Sequence, residues 1–352
     1  MKRDLSAFLD LTRMSAALTV FLAHLSSPRF GGGIPHVSPE LAHTAVIVFF
    51  VLSGFVISWA AKRDGTAREY VINRASRIYS VALPALALTW VTDHYLMRYH
   101  PGTLDAVYQY AAPWKYLPLF LSFSNDFWFL SEDAFSNIPY WSLCYEVWYY
   151  VLFGALIFGR GLWRWGIPIA ALLMMGPRLW LLWPIWLAGA CLHRVPPLSR
   201  GTSRILLFLS LMSLIALKVS GLEETLNALV NEITGGFAEA HLRYSQFFLG
   251  DYIATVCIAG AIHAARGADL TLLARLRTPI AAAASVSFSM YLIHYPLFLF
   301  FGALYPKHIV IIGILTLSVV IVFGITFERN RALLRAVFAT AWPAKDQVPA
   351  YK

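Results

Sequence analysis

Long apolar stretches recur along this chain at a length that suits a lipid bilayer. A bilayer core about 30 Å thick takes roughly 20 apolar residues per helix. Measured against that length, candidate spans lie at 7–26, 43–61, 78–96, 140–158, 165–177, 179–193, 204–221, 246–264, 280–302 and 309–327. The fifth and sixth are short, and Pro177-Arg178 between them reads as a tight hairpin. Met1-Lys2-Arg3 before an apolar stretch could introduce a secretory signal. Asp10, Arg13 and His24 interrupt that stretch and no small-residue cleavage site follows, so it reads as a span. The expected fold is all-α: a polytopic membrane protein of about ten transmembrane helices.

Composition agrees with this pattern. Of 352 residues, 59% are apolar and only 13% charged, where a soluble domain carries about 25% charge. So little charge cannot clothe a water-facing surface, which excludes a soluble enzyme, a disordered chain and a disulfide scaffold. Cys144, Cys191 and Cys257 all lie within apolar stretches, as small packed side chains do. No Cys/His metal spacing, P-loop, GxSxG elbow or dinucleotide loop is found, so no metal is expected, and Gly31-Gly32-Gly33 reads as a turn.

The net charge of +9 has a topological source. With the N-terminus placed in the cytoplasm, the lysines and arginines on the opposite side are Arg29, Arg98, Lys115, Arg178, Lys218, Arg243 and Lys307. Arg13 lies within a span, and the rest of the 28 fall on the cytoplasmic side. This is the bias that orients membrane proteins, with both termini cytoplasmic. Nucleic acid is not needed to explain the charge. No repeat or linker marks a second unit, so residues 1–328 form one membrane domain and 329–352 a basic, peripheral cytoplasmic tail.

Ionisable groups at membrane depth cost from about 2.5 kcal/mol upward, so each suggests a function. Arg13 and His24 are eleven positions apart, which puts them on one helix face and about 16.5 Å apart along the axis. Asp10 stands one turn before Arg13 and can pair with it. A snorkelling pair at the inner interface accounts for Asp10 and Arg13 equally well, but not for His24. Arg74 and Arg77, at i and i+3, suit forked recognition of phosphate oxygens, although plain interfacial anchoring explains them as readily. Glu146 lies inside the fourth span without a basic neighbour and needs a distant partner. Ser287, Tyr291 and His294 form a polar stripe in the ninth span, consistent with helix packing or with a site.

In order, these segments resemble the membrane-bound acyltransferase-3 family, which includes O-antigen and exopolysaccharide O-acetyltransferases. Leu9-Asp10 with Arg13 and His24 is similar to that family's opening helix. Phe49-Phe50-Val51-Leu52-Ser53-Gly54-Phe55 is similar to its second-helix signature, and Arg74-Ala75-Ser76-Arg77 to its R-x-x-R motif. Trp141-Ser142-Leu143 with Glu146, the stretch Ser287 to Pro296, and Glu328 match three further segments. Met14 stands where the family often has Gly, and Ile47 where it often has Asp.

The resemblance implies an O-acyltransferase of the bacterial inner (plasma) membrane. It would move an acyl group, acetyl above all, from cytoplasmic acyl-CoA to a hydroxyl of a sugar, polysaccharide or glycolipid on the outer side. His24 would be the base and Glu146 would orient it or stabilise its charged form; an acyl-histidine intermediate is the alternative mechanism. Arg13, Arg74 and Arg77 would hold the donor, acetyl-CoA, with Asp10, Ser142, Tyr291 and His294 in support. A transporter or flippase of lipid-linked sugars is the competing class, but such proteins commonly show paired repeats that are not found here.

Overall fold

The computed structural model describes residues 2–30, 37–104 and 113–342. The Gly31–Gly33 turn and the tail beyond residue 342 lie outside them. Regular structure among the described residues is helical, apart from one isolated bridge between Ala134 and Asn137. In chain order the helices are α1 (Arg3–Leu25), α2 (Pro39–Asp64), α3 (Ala67–Tyr99), α4 (Pro113–Leu121), α5 (Trp141–Phe158), α6 (Trp163–Met175), α7 (Pro177–Cys191) and α8 (Arg200–Val219). They continue with α9 (Leu222–Ile233), α10 (Phe237–His241), α11 (Phe248–Ala265), α12 (Thr271–Arg275), α13 (Arg277–Ala284), α14 (Ser287–Leu304), α15 (Ile309–Phe323) and α16 (Arg331–Ala341). The end of the bundle where α1 begins is called the basic end below, and the opposite one the far end.

Among the described residues, seven stretches are long and apolar enough to cross a bilayer: α1, α2, Ile138–Phe158, α8, Arg243–Ala265, Arg277–Leu304 and Ile309–Ala341. The other three spans expected from the sequence fall on α3, α6 and α7. The 33 residues of α3 exceed a bilayer's thickness but carry more polar positions. With 13 and 15 residues, α6 and α7 reach only about 20 and 22 Å. Two expected spans are also interrupted. The ninth is divided between α13 and α14 at Ser285-Val286, and the tenth passes after Phe323 into a π-helical turn, Gly324–Glu328.

Local chemistry sets the joints. Ser38 caps α2 by accepting from the Leu41 N–H, with Pro39 in the first turn. Thr66 caps α3 through the Glu69 N–H. Between the two helices only Gly65 and Thr66 intervene, and Gly65 has φ +71°, a backbone region that favours glycine. Where α2 crosses α7, Gly54 meets the Trp186 and Ala190 backbone and Gly189 meets that of Val51 and Phe55. A Cβ on either glycine would fall on those backbone atoms, so the small residues permit the close approach. That approach brings Trp186 Nε1 3.2 Å from Ser53 Oγ.

At the far end, the segment between α4 and α5 is pinned rather than loose. Asn125, Asp126, Ser136 and Asn137 are completely buried. Asp93 on α3 accepts from both the backbone N–H (2.8 Å) and the hydroxyl (2.6 Å) of Ser136. Asp126 accepts from Tyr145 OH (2.6 Å), from Arg178 Nη1 (3.1 Å) and from Arg243 Nη1 (3.0 Å). Arg243 reaches on to Asp133 (2.9 Å). Burial pushes the Asp126 and Asp133 carboxyls up, and the Arg243 guanidinium opposes that push.

Candidate functional site

His24 ends α1 at the far end of the bundle, and its partner comes from the opposite end of the sequence. His24 Nδ1 lies 2.7 Å from His294 Nε2, and His294 Nδ1 lies 2.8 Å from the Met290 carbonyl oxygen. A carbonyl only accepts, so His294 Nδ1 carries the proton. With His294 neutral, its Nε2 is the acceptor, and His24 Nδ1–H donates to it. The tautomer assigned this way leaves His24 Nε2 with a free lone pair. His294 is fully buried, while His24 lines a cavity with Val20, Pro139, Trp141, Tyr291 and Tyr295.

Sequence spacing placed Ser287, Tyr291 and His294 on one stripe, and they have three separate sets of partners. Tyr291 OH lies 2.8 Å from Ser142 Oγ and donates to the Pro139 carbonyl at 3.2 Å. The Ser287 hydroxyl donates to the Ala284 carbonyl at 2.8 Å. Tyr291 and Val46 line both the His24 cavity and a second one toward the basic end. The Tyr291–Ser142 pair therefore stands at the partition between two compartments.

The second compartment, about 740 Å³ including its open mouth, is lined by Arg13, Arg77, Ser53, Ser142, Glu146 and Tyr150 among others. Among the described residues Glu146 makes no hydrogen bond to His24. Its Oε1 accepts from Ser53 Oγ (2.7 Å) and from the Tyr150 hydroxyl. Ser53 is in turn held by Trp186. The sequence reading had not singled out Ser53 or Tyr150 as Glu146's partners. Tyr150 at i+4 from Glu146 was the available signal, whereas Ser53 lies 93 residues away.

The fork expected of Arg74 and Arg77 is divided between two environments. Arg74 turns to Asp64 (3.9 Å) and lies over the Tyr70 ring at 5.9 Å. Arg77 lines the cavity and has no ion-pair partner within 4 Å among the described residues. It shares the compartment with Arg13, which reaches Asp10 at 3.7 Å. The two guanidiniums facing the cavity thus come from α1 and α3, not from one helix face. Glu328 is held nearby, accepting from the Ser289 N–H (3.0 Å) and hydroxyl (2.8 Å).

One further pair, His43 with Asp251, joins residues 208 positions apart that no local spacing links. His43 Nε2 lies 2.9 and 3.0 Å from the two Asp251 oxygens. His43, Pro39 and Tyr244 line both the His24 cavity and a larger far-end space of about 1240 Å³ with its mouth. Tyr244 stacks on Trp141 at 4.2 Å between ring centres. The three spaces therefore adjoin in series from Arg77, past Tyr291 and His24, to the far-end opening.

"Acyltransferase MdmB" of Streptomyces mycarofaciens is 33% identical over 85 residues, a match covering 22% of this chain and 22% of that protein. No solved structure matches the chain. The acyltransferase-3 family model, described as "Acyltransferase domain", matches residues 6–327. That match takes in both histidines, the cavity arginines, Glu146 and Tyr291, and the chain belongs to the acyltransferase-3 family.

Proposed function

We propose that this membrane acyltransferase moves an acyl group, acetyl above all, from acyl-CoA to a hydroxyl of a sugar, polysaccharide or glycolipid. In this reading the basic end faces the cytoplasm, and α3, α6 and α7 complete ten spans in a bacterial inner membrane. Both termini are then cytoplasmic, in keeping with the lysine and arginine bias. The observation that carries the proposal is the His24–His294 pair lining one cavity, with Tyr291 between it and a compartment lined by Arg77, which has no ion-pair partner among the described residues.

The donor's anionic nucleotide meets Arg13 and Arg77, and its pantetheine arm runs through the compartment toward Tyr291. The acceptor enters from the far end past His43 and Tyr244. His24 Nε2 takes the proton of the acceptor hydroxyl as that oxygen attacks the thioester carbon. The ester C–O bond forms as the C–S bond breaks, and the leaving thiolate takes the proton from His24 Nε2, which returns to its neutral form. During the step His24 Nδ1–H stays donated to His294, which holds the ring in place as the carboxylate does in other histidine-based sites. Glu146, with Ser53 and Tyr150, shapes the donor compartment.

The test is purified full-length protein with labelled acetyl-CoA, followed for thioester hydrolysis and for transfer into isolated cell-envelope glycans. Label in the glycan fraction supports the reading. If neither reaction occurs with any short acyl-CoA, the proposal fails.

A further inference from the structure

The chain after the last span reads in sequence as a peripheral tail, but α16 is docked along the start of α3. Arg335 donates to Glu69 Oε2 (2.7 Å) and to Asn73 Oδ1 (2.9 Å). Arg68 donates to the Ala339 carbonyl (2.8 Å) and the Trp342 carbonyl (2.5 Å), satisfying acceptors that a helix end leaves open. Phe338 packs on the Tyr79 ring at 6.2 Å.

With Arg335 on Glu69 and Asn73, Arg68 on the Ala339 and Trp342 carbonyls and Phe338 on Tyr79, α16 lies across the first turns of α3. Arg331 stands one turn before Arg335 on this docked helix, and Asn73 immediately precedes Arg74, which brings Arg331 toward Arg74 and Arg77. The electrostatics agree, since Arg331 is repelled by Arg77 and Arg74 and attracted by Glu328. Of the nearby acids, Asp64 faces Arg74, Glu69 faces Arg335, and Glu328 is held by Ser289. Arg77 and Arg331 are left side by side with no acid of their own within ion-pair distance among the described residues.

We infer that α16 is a fixed wall of the donor mouth, and that Arg331 joins Arg77 and Arg13 in binding the phosphates of a nucleotide thioester. The inference rests on the acyl-CoA reading above and deepens it. Three guanidiniums exceed what a single phosphodiester needs, as on the pantetheine of a carrier protein. They suit coenzyme A, which bears a diphosphate and a 3′-phosphate. An anionic lipid headgroup offers the same phosphate chemistry, so the experiment must separate the two sources. Arg335 touches no donor and acts as a positioning residue.

Binding is measured on the full chain in phosphatidylcholine nanodiscs, with acetyl-CoA, 3′-dephospho-acetyl-CoA and acetyl-pantetheine. Arg331→Gln should weaken acetyl-CoA by about tenfold and leave acetyl-pantetheine unchanged, and Arg331→Lys should recover part of the loss. Arg335→Gln, by releasing the helix, should show the same selective loss, whereas general damage would weaken both donors alike. The series is repeated with phosphatidylglycerol present. An Arg331→Gln effect confined to the response to phosphatidylglycerol, with acetyl-CoA affinity unchanged, would overturn the inference in favour of a lipid contact. Unchanged binding of all three donors in Arg331→Gln overturns it outright. If the wild-type protein binds none of them, the donor reading itself fails and this inference falls with it.

Discussion

The two ends of the bundle use arginine in opposite ways. At the far end Arg178 is buried and held by four hydrogen bonds: it faces Asp126, donates to the Leu130 and His241 carbonyls, and reaches Ser131 Oγ at 3.0 Å. Arg243 bridges Asp126 and Asp133. At the basic end Arg77 and Arg331 repel each other and, among the described residues, have no acid within ion-pair distance, while Glu328 attracts both from farther off. A buried charge held by an acid and several carbonyls fixes the backbone around it, and removing one partner strands the other. A guanidinium held beside another without a counter-ion gains most from an arriving anion. The far-end arginines therefore maintain the scaffold, while the basic-end ones are available to a ligand.

The sharpest way to break that contrast is at Asp126. Asp126→Asn leaves Arg178 and Arg243 without their shared carboxylate and should cost about 3–5 kcal/mol, as loss of one partner of a buried pair does. Thermal unfolding in detergent reads this directly, and a variant as stable as wild type would show that the far-end cluster is no scaffold.

Next in size is His24, the proposed base. His24→Ala should lower transfer by about 10²–10⁴-fold, the usual worth of a general base, with thermal stability close to wild type. Since His294 acts through His24, the double variant should lose no more than His24→Ala alone. Full activity in a folded His24→Ala protein would remove His24 from the mechanism.

At the basic end the contrast can be sharpened within one helix. Arg77→Gln should weaken acetyl-CoA binding by about tenfold without lowering stability, because no partner is stranded. Arg74→Gln should change donor affinity far less, since Asp64 already holds that guanidinium. Equal effects on donor affinity would restore the two-arginine fork.

The smallest effect belongs to Glu146→Gln. An amide oxygen can still accept from Ser53 and Tyr150, so transfer should fall by less than tenfold, below the about 10²-fold floor of a lost base. A loss as large as that of His24→Ala, measured as turnover at saturating donor, would place the carboxylate's charge in the reaction itself.

Much of this architecture is legible in the sequence because the bilayer imposes a length and a polarity on each helix. Apolar stretches about 20 residues long announce the helical membrane class. Polar residues inside them, Arg13, His24, Glu146 and His294, announce themselves by their cost. Segment order also revealed the family, as the match over residues 6–327 bears out.

What the sequence could not determine is partnership, because a side chain's neighbours depend on how helices pack. His24 meets His294 across 270 positions, and no local spacing encodes that meeting. Arg74 and Arg77 look alike on a helix projection, but α2 ends with Asp64 beside only one of them. Glu146 appeared a natural companion for a histidine, and the α2–α7 glycine crossing instead brings Ser53 to it. The last helix reads in sequence as a peripheral tail because its basic residues are ordinary for the cytoplasmic side. Only docking on α3 gives Arg331 neighbours of like charge, and with them a reason to bind phosphate. Helix identity is set by each segment's exchange with lipid and can be read one segment at a time. The site's chemistry is set by distances between segments, which the folded bundle alone fixes.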